Sequence, residues 1–339
     1  MKKKLVGMLA TATLLTMALA GNVQAAEIRS VGPDGEAAVD ASTIELTDDQ
    51  IAQIKEGGYT AAICLHYGGN DWSTSQQKGL EDTFGELGIE IVAVTDANFS
   101  AETQVSNIET VMAKKPDILV SIPTDATATA DAYKQAAAAG IKIVFMDQRA
   151  DGLEAGKDYV SVVSADNYGN GYASGTVLGD ALGGKGKVAM VYYDANFAPT
   201  NQRDEGFRDA MKNYPDIEIV TEQGFTDESG CAEQGDAILT QFPNIDGIYA
   251  SWDVPMEGVL SAVRAAGMEG KVTLACNDLG NNVAREIASG NIAGGGAQMP
   301  YDQGVAEAKL AALALLGEET PSYVAVPAET VTHENVLEA

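Results

Sequence analysis

Short apolar runs alternate with amphipathic segments along most of the chain. Runs rich in Val, Ile, Leu and Ala predict strands, and the segments between most of them space their apolar residues as helices do. Strands are predicted at residues 59–66, 89–95, 117–122, 141–146, 160–164, 186–193, 217–224, 245–251, 271–277 and 294–298. Helices are predicted at residues 103–113, 128–139, 201–212 and 255–266, among others. This alternation predicts parallel sheets covered by helices on both faces. The number of strands favours two sheets over one.

Most of the predicted strands end on a side chain that can form hydrogen bonds. These residues are His66, Asp125, Asp147, Asp194, Asp253 and Asp278. Because ligands of open parallel sheets bind outside the carboxyl ends of the strands, the pattern predicts one polar crevice. An acid between a strand and a helix can instead act as the N-cap of that helix. Both interpretations stay open, with capping favoured for Asp125 and Asp253 and solvent exposure for Asp194.

The first residues have the pattern of a secretory signal peptide. Lysines at positions 2–4 precede an uncharged run at 5–21, and residues 23–25 supply a small-x-small cleavage site. A membrane anchor is the alternative, but the run is at the short limit for a span. Asn22 stands where a lipoprotein would require a cysteine. We therefore predict a signal peptide at 1–25, cleavage after it, and a free periplasmic protein.

Charge and length narrow the class of protein. Removal of residues 1–25 takes away three lysines and no acid, which moves the net charge from −28 to −31. The electrostatic field of so negative a protein repels phosphate backbones and anionic membrane surfaces, so nucleic-acid binding is excluded. The mature chain is longer than a usual single core, which predicts two domains. Cys64, Cys231 and Cys276 form no Cys-x-x-Cys motif and are predicted to be buried free thiols.

Two glycine-rich segments come close to nucleotide-binding motifs without matching them. Residues 169–175 resemble a dinucleotide fingerprint, but the last spacing is one residue too long and the segment follows the fifth strand. Residues 179–186 resemble a phosphate loop, but Gly186 stands where Ser or Thr should bind magnesium. Gly171, Gly175 and Gly179 recur every four residues, which predicts a small helix face for close packing.

Few residues are suited to catalysis. His66 and His333 are the histidines of the chain, so no histidine cluster can hold zinc. No Gly-x-Ser-x-Gly elbow is present either. We therefore predict a protein that is not an enzyme and uses no cofactor. A nucleotide-dependent α/β enzyme is kept as a less favoured alternative.

The side chains that follow the strands suit recognition of a polyhydroxylated molecule. Such a ligand needs carboxylates and amides for its hydroxyls, a guanidinium fork, and flat aromatic rings for its C–H faces. The candidate ligand-binding residues are Asn70, Trp72, Asp147, Gln148, Arg149, Asn167, Arg203, Phe225, Trp252, Asp253, Asn277, Asp278 and Gln298, with His66 as a secondary candidate. Arg203 could also be a surface ion pair, and Phe225 and Trp252 could be core residues.

An ordered set of short motifs resembles the ribose-binding protein family, the type I periplasmic solute-binding proteins of ABC sugar importers. The motifs are SIPTD at 121–125, FMDQRA at 145–150, ADN at 165–167, RDEGF at 203–207, SWD at 251–253, CND at 276–278 and AQMPYDQG at 297–304. The resemblance covers about residues 59–335. It implies two doubly wound parallel-sheet domains that are joined by a three-segment hinge and close on the ligand.

The resemblance also implies domain limits and residue roles. The N-terminal domain is expected at 59–165 plus 299–327 and the C-terminal domain at 166–298 plus 328–339. Residues 26–58 are expected to be an N-terminal extension that either packs or frays, with a capping box at Thr47 opening a short helix. In the family, residues at the positions of Asp147, Arg203, Asp278 and Gln298 hold sugar hydroxyls. The stacking aromatic residues correspond to Trp72 and Phe225.

The chain departs from the ribose pattern at several of these positions. Ile122 replaces a frequent ligand-binding asparagine, and Gln148 follows the clamp aspartate, with arginine one place later. Trp252 stands where the family often has asparagine, and His66 replaces a small polar residue. With fewer polar side chains and more aromatic rings, the site would form hydrogen bonds to a different set of ligand hydroxyls. The sequence therefore predicts a sugar or polyol other than ribose.

The functional hypothesis is a monomeric periplasmic protein that captures a small neutral sugar or polyol and delivers it to a membrane ABC permease. A ligand-binding protein for chemotaxis, which would dock on a chemoreceptor, or for uptake of a signal molecule uses the same cleft and is the first alternative. A sugar-responsive repressor would need a basic helix-turn-helix before the first strand. A signal peptide and an acidic segment occupy that place instead.

Overall fold

The computed structural model describes residues 27–338, so the predicted signal peptide lies outside the described residues. The strands are β1 Val39–Asp40, β2 Thr60–Leu65, β3 Glu90–Asp96, β4 Ile118–Ser121, β5 Lys142–Met146, β6 Ser161–Ala165, β7 Lys185–Tyr193, β8 Asp216–Phe225, β9 Gly247–Ala250, β10 Thr273–Cys276, β11 Gly294–Ala297, β12 Tyr323–Val326 and β13 Glu329–Thr332. Each of the ten strands predicted from the sequence is present, with ends that differ by at most two residues. The sequence did not predict the short strands β1, β12 and β13.

Ten α-helices lie in the described part of the chain. They are α1 Asp48–Gly57, α2 Asp71–Leu87, α3 Ala101–Ala113, α4 Ala130–Ala138, α5 Asn167–Ala181, α6 Ala198–Met211, α7 Cys231–Gln241, α8 Asp253–Ala265, α9 Asn281–Ala288 and α10 Pro300–Leu315. The ends of α2 are set by a side-chain cap and by a glycine. Asn70 accepts from the Ser73 amide to start α2, and Gly88, in the left-handed region, ends it. Over residues 27–338, no helix combines the length and apolar character that crossing a membrane requires.

The strands form two sheets, in the orders β1-β12-β6-β5-β4-β2-β3 and β13-β11-β10-β9-β7-β8. The first sheet is parallel throughout, and the second is parallel except where β13 pairs with β11. Strand order reverses between β2 and β4 and again between β7 and β9, where doubly wound sheets bind ligands. Each sheet has an apolar cluster on both faces. The predicted fold class is confirmed.

The chain passes between the two sheets three times, from β6 to β7, from β11 to β12, and from β12 to β13. The sheet edges that carry β12 and β13 therefore lie at the connections. We call this edge of the cleft the hinge side and the opposite edge, with β3 and β8, the far side. Strands β5, β6, β10 and β11 lie on the hinge side of the sheets, whereas β2, β3, β7 and β8 lie on the far side.

The segment before β2 packs on the body instead of fraying. Strand β1 extends the first sheet beside β12, and the predicted capping box forms between Thr47 and Gln50 at the start of α1. Closer to its N-terminal end, the segment contacts the second domain, because the amides of Arg29 and Ser30 donate to the Asp166 carboxylate at 2.9 and 2.8 Å. The guanidinium of Arg29 also lies 4.1 Å from the centre of the Tyr172 ring.

Close packing of α5 against α6 positions the arginine predicted to bind ligand. A side chain on Gly171 would overlap the backbone carbonyl of Arg203, and one on Gly175 would meet Ala210. The prediction that this glycine repeat is a face for close helix packing is therefore confirmed. Because the helices approach so closely, the Arg203 side chain reaches Asn167 at the start of α5.

Candidate functional site

A small cavity lies between the two sheets, at the carboxyl ends of their parallel strands. It measures about 50 Å³ and receives side chains from both sheets. The lining residues are His66, Tyr67, Trp72, Phe99, Ile122, Asp147, Tyr193, Phe197, Pro199, Thr200, Arg203, Trp252, Asp278 and Gln298. Seven of them were predicted from the sequence: His66, Trp72, Asp147, Arg203, Trp252, Asp278 and Gln298.

One side of the cavity is a continuous series of hydrogen-bonded polar side chains, which we call the polar chain. Its members are Asp147, Ser164, Asn167, Arg203, Asp278 and Gln298. The Ser164 hydroxyl donates to Asp147 at 2.8 Å, and Asn167 Nδ2 donates to the same hydroxyl at 2.9 Å.

The other half of the polar chain is centred on a buried ion pair. Arg203 Nε donates to Asn167 Oδ1 at 2.8 Å, and Arg203 Nη1 donates to Asp278 Oδ2 at 3.1 Å. Gln298 Nε2 donates to the second oxygen of Asp278 at 2.6 Å. The side chains of Arg203 and Asp278 are only 6% and 9% exposed. The alternative of a surface ion pair is therefore wrong for Arg203.

Both cavity aspartates have an unusual backbone conformation. Asp147, directly after β5, has φ 55°, and Asp278, two residues after the end of β10, has φ 68°. This left-handed region is sparsely populated by residues other than glycine, although Asn and Asp tolerate it best. Such conformations concentrate at ligand clamps, where the surrounding structure holds them. Burial raises the pKa of each carboxyl group, and this is partly offset by the Ser164 hydroxyl at Asp147 and by Arg203 at Asp278.

The remainder of the cavity is lined mainly by aromatic rings, which we call the ring wall. Its members are His66, Tyr67, Trp72, Phe99, Tyr193, Phe197 and Trp252. Rings of the two domains meet directly, since His66 stacks on Phe197 with ring centres 5.6 Å apart. Trp252 packs edge-on against Tyr193 at 5.6 Å. The ring wall offers flat apolar faces to a ligand.

His66 lies in the centre of this wall and is neutral. Tyr67, Trp72 and Phe99 each meet its ring edge-on. Burial lowers the pKa of His66 to about 3, so the ring carries no charge at neutral pH. Among the residues that the structure describes, His66 Nδ1 and Trp72 Nε1 find no hydrogen-bond partner. Buried polar atoms without partners are costly, and these two have almost no accessible surface.

Five predicted residues lie behind the lining and hold it in place. Asn70 Nδ2 donates to the Tyr67 hydroxyl at 2.6 Å, and Phe225 packs against Trp252 with ring centres 5.1 Å apart. Asn167 holds Arg203, and Asn277 Nδ2 donates to the Ser251 carbonyl at 3.0 Å. Gln148 bridges the domains, donating to the Pro123 carbonyl and accepting from the Ala198 amide. The structure thus places these residues next to the lining.

Two predicted residues lie elsewhere. Arg149 points away from the cavity, donates to the Leu153 carbonyl and pairs with Asp34 at 2.7 Å. Arg149 therefore does not contribute to the lining of the cavity. Asp253 lines a second, larger cavity of about 550 Å³ that shares Trp72, Asp278 and Gln298 with the first.

The sequence did not predict several residues that line the cavity, and most of these are aromatic. Tyr67, Phe99, Tyr193 and Phe197 line the cavity but were not predicted. Tyr193 ends β7 and the other three follow a strand end by a few residues, as the predicted residues do, so their position in the sequence could have indicated them. The three cysteines are buried and free. No group of ligands suited to a metal ion occurs in residues 27–338.

The buried Asp253 predicts a pH dependence of stability. Burial and the nearby charge of Asp278 raise the pKa of Asp253 from 3.8 to about 7, with Glu257 adding to the effect and Arg203 opposing it. A carboxyl group whose pKa is higher in the folded than in the unfolded protein makes its full contribution to the free energy of unfolding below about pH 4. This contribution is lost as the pH rises from about 4 to 7. We expect Asp253→Asn to stabilise the protein by about 2 kcal/mol at pH 8. This is less than the full ~4 kcal/mol of the pKa change, because the hydrogen bond from the Val254 amide is weakened.

The test is the melting temperature of both proteins from pH 4.5 to 8. The Asp253→Asn curve should fall less steeply than that of the unsubstituted protein. Parallel curves would show that Asp253 does not titrate in this range.

Comparison with known proteins gives consistent results. A sequence model described as the periplasmic binding protein domain matches residues 61–319. The D-ribose/D-allose-binding protein of Pseudomonas aeruginosa is 29% identical over 273 residues, which cover 77% of this chain and 83% of that protein.

Solved structures of solute-binding proteins superpose on most of this chain. An ABC transporter periplasmic solute binding protein from Actinobacillus succinogenes, with bound D-allose, superposes with a TM-score of 0.76 at 28% identity, covering 83% of this chain and all of that one. An ABC transporter solute binding protein from Agrobacterium vitis, bound with α-D-tagatopyranose, gives 0.77 at 26% identity, covering 82% and 96%.

Proposed function

Because this chain belongs to the periplasmic binding protein family, we propose that it captures a small sugar or polyol between its two domains. It acts in the periplasm as a monomer and delivers the ligand to the membrane permease of an ABC importer. Similar proteins of known structure carry D-allose and α-D-tagatopyranose. The single observation that carries the proposal is the polar chain, which faces the ring wall across one cavity.

The chemistry of the cavity supports this ligand class. Asp147, Arg203, Asp278 and Gln298 supply charged and amide groups that can accept from or donate to hydroxyls. The rings cover the C–H faces that a sugar or polyol presents between its hydroxyls. The experiment is a thermal-shift and calorimetric screen against pentoses, hexoses, polyols and, as a negative class, amino acids. We expect a saccharide or polyol to raise the melting temperature with one site per chain; stabilisation by amino acids alone would contradict the proposal.

Closure of the domains on the ligand is the second part of the proposal, supported by two hydrogen bonds across the cleft. In the described chain, the N-cap residues of α6 and α9, Phe197 and Gly280, provide no side-chain cap. The opposite domain supplies a capping hydrogen bond to each helix. Gln148 Oε1 accepts from the Ala198 amide at 3.2 Å, and Asp71 Oδ2 accepts from the Asn281 amide at 2.7 Å. These bonds exist only while the domains are close, so they favour the closed form.

Asp71→Ala is expected to weaken sugar binding about fivefold although Asp71 need not touch the sugar. Loss of an N-cap costs about 1 kcal/mol, and here the cost falls on the closed form, so the closed population and the apparent affinity both drop. Isothermal calorimetry with the best ligand of the screen measures the effect. Asp125→Ala is the matched control, because Asp125 accepts from the Thr127 and Ala128 amides within its own domain. An unchanged affinity of Asp71→Ala, or an equal loss in the control, would contradict a role in closure.

A further inference from the structure

The polar and aromatic residues of the cavity are segregated by the order of the strands. Asp147 follows β5, Ser164 lies in β6, Asp278 follows β10 and Gln298 follows β11, and all four strands are on the hinge side. Arg203, on α6, extends to this group through Asn167 and Asp278. The charged and amide groups of the lining are therefore concentrated at the hinge side.

Most of the ring wall comes from the far side, and Trp252 follows the central strand β9. Tyr67 follows β2, Phe99 follows β3, Tyr193 ends β7 and Phe197 follows it. Phe99 is 43% exposed, so the wall extends to solvent at the outer edge of the cleft. A ligand held by the polar chain would direct its other edge at these rings.

Several polar atoms of the ring wall are already used within the protein. The Tyr67 hydroxyl accepts from Asn70, and the Trp252 indole donates to Glu228 at 2.9 Å. The Thr200 hydroxyl donates to the backbone carbonyl of Phe197. Ile122, which follows β4, adds an aliphatic side chain to the lining. The His66 and Trp72 ring nitrogens without partners have almost no accessible surface, which leaves the Tyr193 hydroxyl as the main polar group that this wall can offer. The far side is therefore mainly a carbon surface, and a ligand hydroxyl pressed against most of it would lose its water without gaining a matched partner.

We propose that the ligand is amphipathic: a sugar or cyclic polyol with its hydroxyls grouped on one edge and a deoxygenated or methyl-bearing edge on the other. The proposal rests on the proposed function and specifies its substrate class. The hydroxylated edge binds the polar chain, and the methyl or methylene edge packs on the ring wall. Deoxy sugars are the simplest members of this class.

The test compares matched pairs that differ in one hydroxyl: L-fucose with L-galactose, L-rhamnose with L-mannose, 6-deoxy-D-glucose with D-glucose, and 5-deoxy-D-ribose with D-ribose. Calorimetry on the intact protein gives both affinities. In any pair that binds, the deoxy sugar is expected to bind at least tenfold more tightly. If the hydroxylated member binds equally well or better, the inference is overturned while the proposed function stands. If no member of any pair and no other sugar or polyol binds, both fail.

A substitution in the wall provides a second test. Phe197→Asn places a hydrogen-bonding side chain on the far side, where its oxygen can cap α6 and its amide nitrogen can donate to a ligand hydroxyl. The preference for the deoxy sugar is expected to fall by several fold, mainly because the hydroxylated member gains affinity. Asp194→Asn, a nearby exposed position outside the cavity, is the control and should leave the preference unchanged. An unchanged preference in Phe197→Asn would overturn the placement of the apolar edge.

Discussion

Arg203→Met is expected to abolish sugar binding and to lower the free energy of unfolding of the ligand-free protein by about 3 kcal/mol. The guanidinium donates to Asn167, to the Ser251 carbonyl and to Asp278. Its removal leaves the Asp278 carboxylate buried without its cation, which typically costs about 3–5 kcal/mol. The charge-assisted hydrogen bonds that it would make to ligand hydroxyls are lost as well. Urea denaturation and calorimetry measure the two effects separately.

The double variant Arg203→Met with Asp278→Asn separates stability from recognition. Removing both charges of a buried pair is often neutral for stability, since neither partner is left uncompensated. Asparagine also tolerates the left-handed backbone of position 278. We therefore expect the double variant to recover most of the lost stability and still not bind sugar. Sugar binding by either variant with unchanged affinity would contradict the role of Arg203.

Asp147→Asn is expected to lower the affinity for the sugar about 10- to 30-fold while the protein remains folded. A hydrogen bond to a charged acceptor contributes about 1.5–3 kcal/mol, more than one to a neutral amide, and about 1.4 kcal/mol corresponds to a factor of ten. Asparagine fits the same space and tolerates φ 55°. Because burial raises the pKa of Asp147, replacing it removes a costly buried charge, so the ligand-free protein should be at least as stable.

The matched control for this variant is another acid at a strand end. Asp194 follows β7 and is exposed outside the cavity. Asp194→Asn should leave both affinity and stability unchanged, as measured by calorimetry and thermal unfolding. A comparable loss of affinity in the two variants would show that net charge, and not the position of Asp147, controls binding.

Strand periodicity in the sequence predicted most of the fold because a parallel sheet buried on both faces requires continuous apolar strands. All ten predicted strands formed. The sequence did not predict the short strands β1, β12 and β13, which lie at the hinge-side edges of the two sheets. Their pairing depends on the neighbouring strands in the sheets, which the local sequence does not specify.

The sequence predicted the polar half of the candidate site better than the aromatic half. Asp147, Asp278 and Gln298 lie within two residues of a strand end, so their position alone directs them towards the cleft. Phe99 and Phe197 lie in loops whose paths depend on tertiary packing, and Phe197 meets His66 only when the two domains are close. The position of Arg149 also depended on tertiary structure, because its partner Asp34 lies in the segment before β2.

The most direct test of the account is a crystal structure with the sugar or polyol that binds most tightly in the screen. We expect one ligand molecule in the cavity between the two sheets, with hydroxyls within hydrogen-bonding distance of Asp147, Arg203 and Asp278. Its least hydroxylated edge should face Phe197 and Trp252. A ligand bound outside this cavity, or one whose hydroxyls face the rings and whose apolar edge faces the polar chain, would contradict it.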